Sequence, residues 1–400
     1  MVVTRLLSRQ TPVRLFFGLG VLVLAFAGEA RACAICYSGI VITPGQKLDA
    51  ADQAVLAVPL ANEGQFRVID VVKGDGAVDD IIVQPGLSAS TDEAVMSVDG
   101  LAAGQTVATA PDGKPFLLLR DKVSEKWTSI GAIDADYAGW LRDLAATNHG
   151  REVRPARISL LPTLTGSSLT DEEWRERVAV IAPHLESAEP LAAEIAYGEL
   201  IRAPYGAMRI LKPQFDAARI GAWINDPKLV SRRPAYTLLL GVAGGPNDTR
   251  ELERRIDAAL KARDATNLSA MLAADLELRG AARIDWLEQT YFADRQRTLP
   301  EINAALLALS VHGGADATVP REKVIEAYRY FIKVRRPMAG FVAMELANWE
   351  AWDATADYVD IIRSKAVKDP AGEFAILSYL KQSPTTAEQA ALQSSTNKSE

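Results

Sequence analysis

The sequence predicts a multidomain chain, β first and all-α after: a small β barrel or sandwich followed by an α-solenoid of helix pairs. Three observations lead there. Short apolar runs bounded by turn residues follow one another between residues 54 and 130, the pattern of strands joined by short loops. Further on, helix starts return at Pro190, Pro234, Asn267, Pro300, Pro337 and Pro370, at intervals of 44, 33, 33, 37 and 33 residues. Before each start lies another amphipathic segment, so the repeating unit is a pair of helices that buries its apolar face by stacking on its neighbours.

Residues 1–32 carry Arg5, Arg9 and Arg14, an apolar run from Leu15 to Gly28, and then Ala30-Arg31-Ala32. This is the three-part plan of a secretory signal with an A-x-A cleavage site. The run is shorter than the about 20 apolar residues of a spanning helix, so we expect a periplasmic or secreted chain with no transmembrane span after cleavage. Loss of four arginines and one glutamate leaves 40 basic and 50 acidic residues, a net charge of −10. That balance argues against nucleic acid or anionic lipid as a partner.

Cleavage after Ala32 puts Cys33 at the mature N-terminus, with Cys36 as the chain's other cysteine. Four chemistries compete for the pair. An oxidising compartment favours a disulfide, structural or redox. Two thiolates and the α-amine of Cys33 offer soft ligands to copper or zinc, although a closed zinc site wants four. Lipidation of Cys33 would anchor the chain to the outer face of a membrane; Ala30 and Ala32 fit a lipobox and Arg31 departs from it. Two free thiols are the fourth reading. Attachment of c-type haem is excluded, because Tyr37 stands where C-x-x-C-H needs histidine.

The β-rich unit, residues 33–131, has strands expected at Ala54–Val58, Phe66–Val72, Ile81–Gln84, Val95–Val98, Thr106–Thr109, Phe116–Leu119 and Trp127–Ile130. Lys73-Gly74-Asp75-Gly76, Asp99-Gly100 and Pro111-Asp112-Gly113 supply the turn residues between them. Residues 132–168 hold a bridging helix, with Ile133, Tyr137, Trp140, Leu141 and Leu144 on one face, and then a Pro- and Ser-containing linker. Thr170 and Glu173 form a capping box that opens the helical repeats at 169–382, and a Ser-, Thr- and Gln-rich tail, expected to be disordered, fills 383–400.

Two resemblances add to this. Cys33-Ala34-Ile35-Cys36, Ala51-Asp52 before an apolar strand, and Phe66-Arg67-Val68-Ile69-Asp70-Val71-Val72-Lys73-Gly74-Asp75 resemble the netrin-like (tissue-inhibitor-of-metalloproteinases-like) OB barrel pattern over under a quarter of the chain. That resemblance implies an OB-like fold and, in its family, an N-terminal cysteine that ligates the zinc of a target metalloproteinase. The spacing here is C-x-x-C rather than C-x-C, and the family's further cysteines are absent. The whole chain, through Cys33-Ala34-Ile35-Cys36-Tyr37, Leu191 to Pro204 and Glu345-Leu346-Ala347-Asn348-Trp349-Glu350-Ala351-Trp352, resembles exported bacterial HEAT-like repeat proteins, which implies the architecture and no catalysis.

The sequence holds no phosphate-loop, nucleophile-elbow, H-E-x-x-H or EF-hand motif. The reading that follows is an exported, non-enzymatic binding or scaffold protein of the cell envelope, holding a protein partner on its repeats. Candidate partner-binding residues are Arg232, Arg233, Arg335 and Arg336, basic pairs in equivalent loops, and Trp349 and Trp352, spaced i and i+3. For each the plainer use is internal: the arginines at the carbonyl ends of helices, the tryptophans in packing. The alternatives are a thiol redox or copper-handling protein acting through Cys33 and Cys36, and a metalloproteinase-inhibitor-like module. No cofactor is expected beyond copper or zinc at that pair.

Overall fold

The structure is a computed structural model of the 400-residue chain and describes residue 35 and residues 42–87, 113–149, 169–314 and 317–384. Residues 1–32, Cys33, Cys36, the expected strands at 95–98 and 106–109, the linker at 155–168 and the tail beyond 384 lie outside the described residues. A β sheet followed by helices is what the chain forms. No helix among the described residues is long and apolar enough to cross a membrane.

The first element is a short helix, α1 (Pro44–Ala50), opened by a Thr43/Gln46 capping box with proline at its first position. Five antiparallel strands follow: β1 (Gln53–Pro59), β2 (Gln65–Lys73), β3 (Ile81–Val83), β4 (Phe116–Arg120) and β5 (Trp127–Ala132), in the spatial order β3-β2-β1-β4-β5. Central β1 is buried on both faces from Ala54 to Ala57, which is why it reads as an unbroken apolar run. The expected turn after β2 needs Gly74: its φ is +83°, and a Cβ there would lie 2.5 Å from the Asp52 carbonyl oxygen.

The expected closed barrel or sandwich is, among the described residues, one open sheet. Register irregularities in the β1/β2 and β4/β5 pairings bend it, as bulges do, and its two edges are joined by a side chain instead of a strand ladder. Gln84, just past β3, donates from Nε2 to the Trp127 carbonyl at 2.8 Å and accepts from the Trp127 N–H at Oε1 at 2.7 Å. The amide thus imitates a strand residue. Inside the curl lie Val55, Ala57, Phe66, Val68, Ile82, Leu87, Phe116 and Leu118, with Phe66 and Phe116 edge to face at 6.3 Å. Gln84→Ala is expected to cost about 1–2 kcal/mol, the usual range for two hydrogen bonds, and to speed amide exchange of Trp127 ahead of the β1 amides.

The opposite face of the sheet, with Ala54, Leu56, Leu117, Leu119 and Ile130, is continuous with the helical core. The bridging helix α2 (Ala138–Ala146) seals it with Trp140, Leu141 and Leu144 and is capped at Thr147; the chain then turns at His149, φ +47°. Next comes α3 (Asp171–Ile181), whose Thr170/Glu173 capping box forms in both directions. Then α4 (Pro190–Arg202) begins at the first of the expected starts.

Beyond it run α5 (Ala217–Asn225), α6 (Arg233–Ala243), α7 (Pro246–Ala262), α8 (Leu268–Arg279), α9 (Ile284–Leu287), α10 (Leu299–Ser310), α11 (Arg321–Val334), α12 (Ala343–Asn348), α13 (Thr355–Arg363) and α14 (Pro370–Gln382). The even-numbered helices from α6 to α10 stack on one another; Gly241 of α6 lets the α8 backbone approach, since a Cβ there would lie 2.7 Å from Ala274 Cα. Two departures from simple repetition have physical causes. The 44-residue interval holds one intervening helix, α5, as the other intervals hold α7, α9, α11 and α13, and is lengthened by the 3-10 segments Tyr205–Leu211 and Pro227–Arg232 on either side of it. Pro337 starts a 3-10 segment, Arg336–Val342, and α12 begins only at Ala343; there Gly340 touches the α14 backbone, a Cβ on it falling 2.5 Å from Gly372 Cα.

Candidate functional site

Where the sheet meets the helices, Arg177, Asp49 and Glu199 are buried together, with half-buried Arg202 beside them. Trp174, Arg177, Val178 and Ile181 share the inward face of α3, so Arg177, wholly buried, enters the core with its charge. Nε donates to Glu199 of α4 at 2.5 Å, Nη2 to both oxygens of Asp49 of α1 at 3.1 and 3.0 Å, and Nη1 to Thr147 Oγ1 at 2.9 Å. Arg202 donates to both Glu199 oxygens at 2.7 and 2.8 Å, and Thr43 Oγ1 donates to Glu199 at 3.2 Å. Two positive and two negative groups balance, as burial demands.

The environment divides the two carboxyls. Burial pushes Asp49 up to about 6 against the pull of Arg177. For Glu199 burial acts in the same direction, yet Arg177 and Arg202 hold it below the usual carboxylate range. Nearby, Lys73 of β2 donates to the Leu48 and Asp49 carbonyls at 3.1 and 2.8 Å, satisfying the end of α1; burial lowers its pKa. Further clasps join sheet and helices: Lys114 to Glu189 at 2.6 Å, Tyr137 with Ser187 at 2.9 Å, and Trp140 Nε1 to the Val180 carbonyl at 3.0 Å. Chemically this junction is a lock.

The six candidate side chains are engaged within the array. Arg232 pairs with Glu186 and Glu194 at 2.9 and 2.7 Å and lies 4.5 Å above the Tyr197 ring. Arg233 donates to the Ile224 carbonyl at the end of α5, at 2.9 Å. Arg335 donates to the carbonyls of Phe292, Tyr291 and Asp294 at the close of a π-helical turn, Glu288–Ala293. Arg336 reaches Asp360 and Ser364 at 2.8 and 3.0 Å. Trp349 stacks on Tyr328 at 5.8 Å and 4°, and Trp352 meets Tyr379 at 5.1 Å. Arg233 and Arg335 thus bond backbone carbonyls at element ends, whereas Arg232 and Arg336 pair with carboxylates and the two tryptophans pack on tyrosines.

A different surface stands open. Four residues after each helix start the first stacked helices bury what they carry, Leu238 being 0% exposed, Met271 7% and Ala304 5%; seven residues after, Gly241 and Ala274 are buried and Leu307 is half-buried. At the same positions of the last two units Phe341 and Met344 are each 43% exposed, Phe374 63% and Leu377 47%. The Gly340–Gly372 contact brings these two pairs onto neighbouring backbones. Large apolar side chains grouped this way mark contact surfaces more often than singly exposed ones do.

Among the described residues no three His, Cys, Asp or Glu side chains converge as a metal site would require. Cys33 and Cys36 are outside them, but Ile35 between the two is described, and it packs against the main core. No family model matches the chain, and no curated protein or solved structure is significantly similar to it.

Proposed function

We propose that this chain is an exported, non-enzymatic binding scaffold of the cell envelope, whose HEAT-like helical stack holds a protein partner. The observation that carries the reading is the exposed group Phe341, Met344, Phe374 and Leu377, at positions that the earlier stacked helices bury or half-bury. Aromatic residues at the centre of an interface supply much of its affinity, and the sheet locked to the helices gives the surface a rigid support. The full chain is expected to cross-link saturably to a partner in envelope extract, and Phe341→Ser with Phe374→Ser is expected to abolish that cross-linking while leaving thermal stability within about 0.5 kcal/mol, as surface substitutions do. Unchanged cross-linking in the double variant, or none by the wild-type chain at micromolar concentration, counts against the reading.

A second reading rests on Ile35. Ile35, between the two cysteines in sequence, packs against the core, and the role proposed as the alternative is thiol redox or copper handling through Cys33 and Cys36. Cys36→Ser is then expected to remove dithiol reactivity and copper uptake while helical circular dichroism stays unchanged.

A further inference from the structure

His312, just past the end of α10, is wholly buried, and the carbonyl of Ala273 at 3.0 Å fixes the proton on Nε2. Nδ1 is then a bare acceptor. It lies 3.6 Å from Oε2 of Glu277, beyond hydrogen-bond reach. Glu277 of α8 is itself a hub for stretches far apart in sequence. Arg209, in the 3-10 segment Tyr205–Leu211, donates to both its oxygens at 2.8 Å, and Thr318, ahead of α11, donates to Oε1 at 2.7 Å. The Tyr205 ring meets the imidazole edge-on at 5.5 Å, and Arg321 of α11 donates to the Gly313 carbonyl at 2.6 Å. The titratable groups that these elements turn toward the ring are Glu277, Arg209 and Tyr205, with Arg321 at the next residue.

From this geometry we infer that His312 and Glu277 form an acid-released clasp: protonation of the ring opens the contacts of Tyr205–Leu211 and of Thr318 with α8, while the sheet and the stacked helices stay folded. The closed clasp has no place for the proton. An Nδ1–H would face a carboxylate oxygen that Arg209 already occupies, and a buried cation without a hydrogen-bond partner is strongly disfavoured. The proton is taken once the ring reaches water, so acid favours the open form. Local opening suits these stretches. Tyr205–Leu211 is closed by 3-10 bonds, such as Ala207 N–H to the Pro204 carbonyl at 2.9 Å and Lys212 N–H to the Arg209 carbonyl at 3.2 Å, a poorer geometry than that of an α-helix. His312 follows Ser310, the last residue of α10, by two positions, so the ring can swing out with that helix intact. Burial lowers the His312 pKa from 6.5 to about 4, and opening gains about tenfold for each pH unit descended through that interval. Burial raises Glu277, but the bonds from Arg209 and Thr318 outweigh it and hold the carboxyl below its usual range, so it stays charged while the ring titrates.

The test is amide hydrogen exchange of the full chain, read by mass spectrometry between pH 7 and 4.5, with each rate corrected for the intrinsic pH dependence of exchange. Amides of Tyr205–Leu211 and those around His312 and Thr318 are expected to exchange ahead of β1, through local opening, and to lose about tenfold in protection from pH 6 to 5. His312→Gln is expected to hold its protection constant over that step. Glu277→Gln leaves the ring in place, so it is expected to be less protected at every pH and to keep the tenfold step. Should His312→Gln not fold, this second variant decides: a step lost with Glu277 makes the carboxyl the titrating group and overturns the inference. Wild-type protection that ignores pH, equal protection of the clasp and β1, or the same step in His312→Gln overturns it as well.

Discussion

Replacing Arg177 by methionine is expected to lower the unfolding free energy by about 3–5 kcal/mol, the cost of leaving a buried charge uncompensated. Methionine fills much of the same volume, so the loss comes from Asp49 and Glu199, which would keep only Arg202 between them: 2.7 and 2.8 Å from Glu199 and 4.0 Å from Asp49. Thr147 Oγ1 would lose its 2.9 Å donor as well. Adding Asp49→Asn and Glu199→Gln removes both negative charges and is expected to recover a large part of the loss, which a packing defect would not allow. Lysine at 177 has a single ammonium where the guanidinium makes contacts on three nitrogens, so it should rescue poorly. Urea unfolding with far-ultraviolet circular dichroism reads the stability, and tryptophan fluorescence, with Trp140 at the seam, reads the junction. Because α1 from the sheet side and α3 and α4 from the array share this network, both probes are expected to report one coincident transition. A change below about 1 kcal/mol for Arg177→Met would mean that the network is dispensable.

The parts of this architecture that were legible in the sequence are those governed by local chemistry. Short apolar runs bounded by turn residues marked all five described strands, and Thr170 with Glu173 marked the start of α3. Proline or asparagine marked the openings of α4, α6, α8, α10 and α14, because each residue suits a helix terminus whatever surrounds it. The junction was not legible for the opposite reason. Glu199 lies in a run of alanine, isoleucine and leucine, and Arg177 occupies an apolar stripe; each is tolerable there only because the other is present. A charge at a core position of a periodic pattern was the available signal. Thr43-Pro44-Gly45-Gln46, the capping box of α1, was likewise present but too short to stand out as a helix. The delayed start of α12 depends on two glycines 32 residues apart meeting in space, and nothing in the period predicts that.

Stability is also expected to depend on pH through His312, at the exit of α10. The ring is wholly buried; its Nε2 lies 3.0 Å from the Ala273 carbonyl, which only an Nε2–H can satisfy. That leaves Nδ1 as an unpaired acceptor 3.6 Å from Glu277, whose oxygens are taken by Arg209 and Thr318. Burial lowers the His312 pKa from 6.5 to about 4, against the opposing pull of Glu277. Between those values the unfolded chain binds a proton that the folded chain refuses, so this contribution is complete above pH 6.5 and is lost as pH falls toward 4. A difference of 6.5 to about 4 corresponds to about 3 kcal/mol. Asp49 acts with the other sign: its pKa is raised from 3.8 to about 6, so the folded chain holds the extra proton, and stability is gained as pH falls through that window. The two slopes oppose each other in the wild-type chain, and variants separate them. His312→Gln keeps an amide donor for Ala273 and removes the titrating ring, so as pH drops from 6 to 4 its unfolding free energy should fall less than that of the wild type. Asp49→Asn should instead lose stability over the same range. Parallel pH profiles for wild type and His312→Gln would show that the ring is not the titrating group.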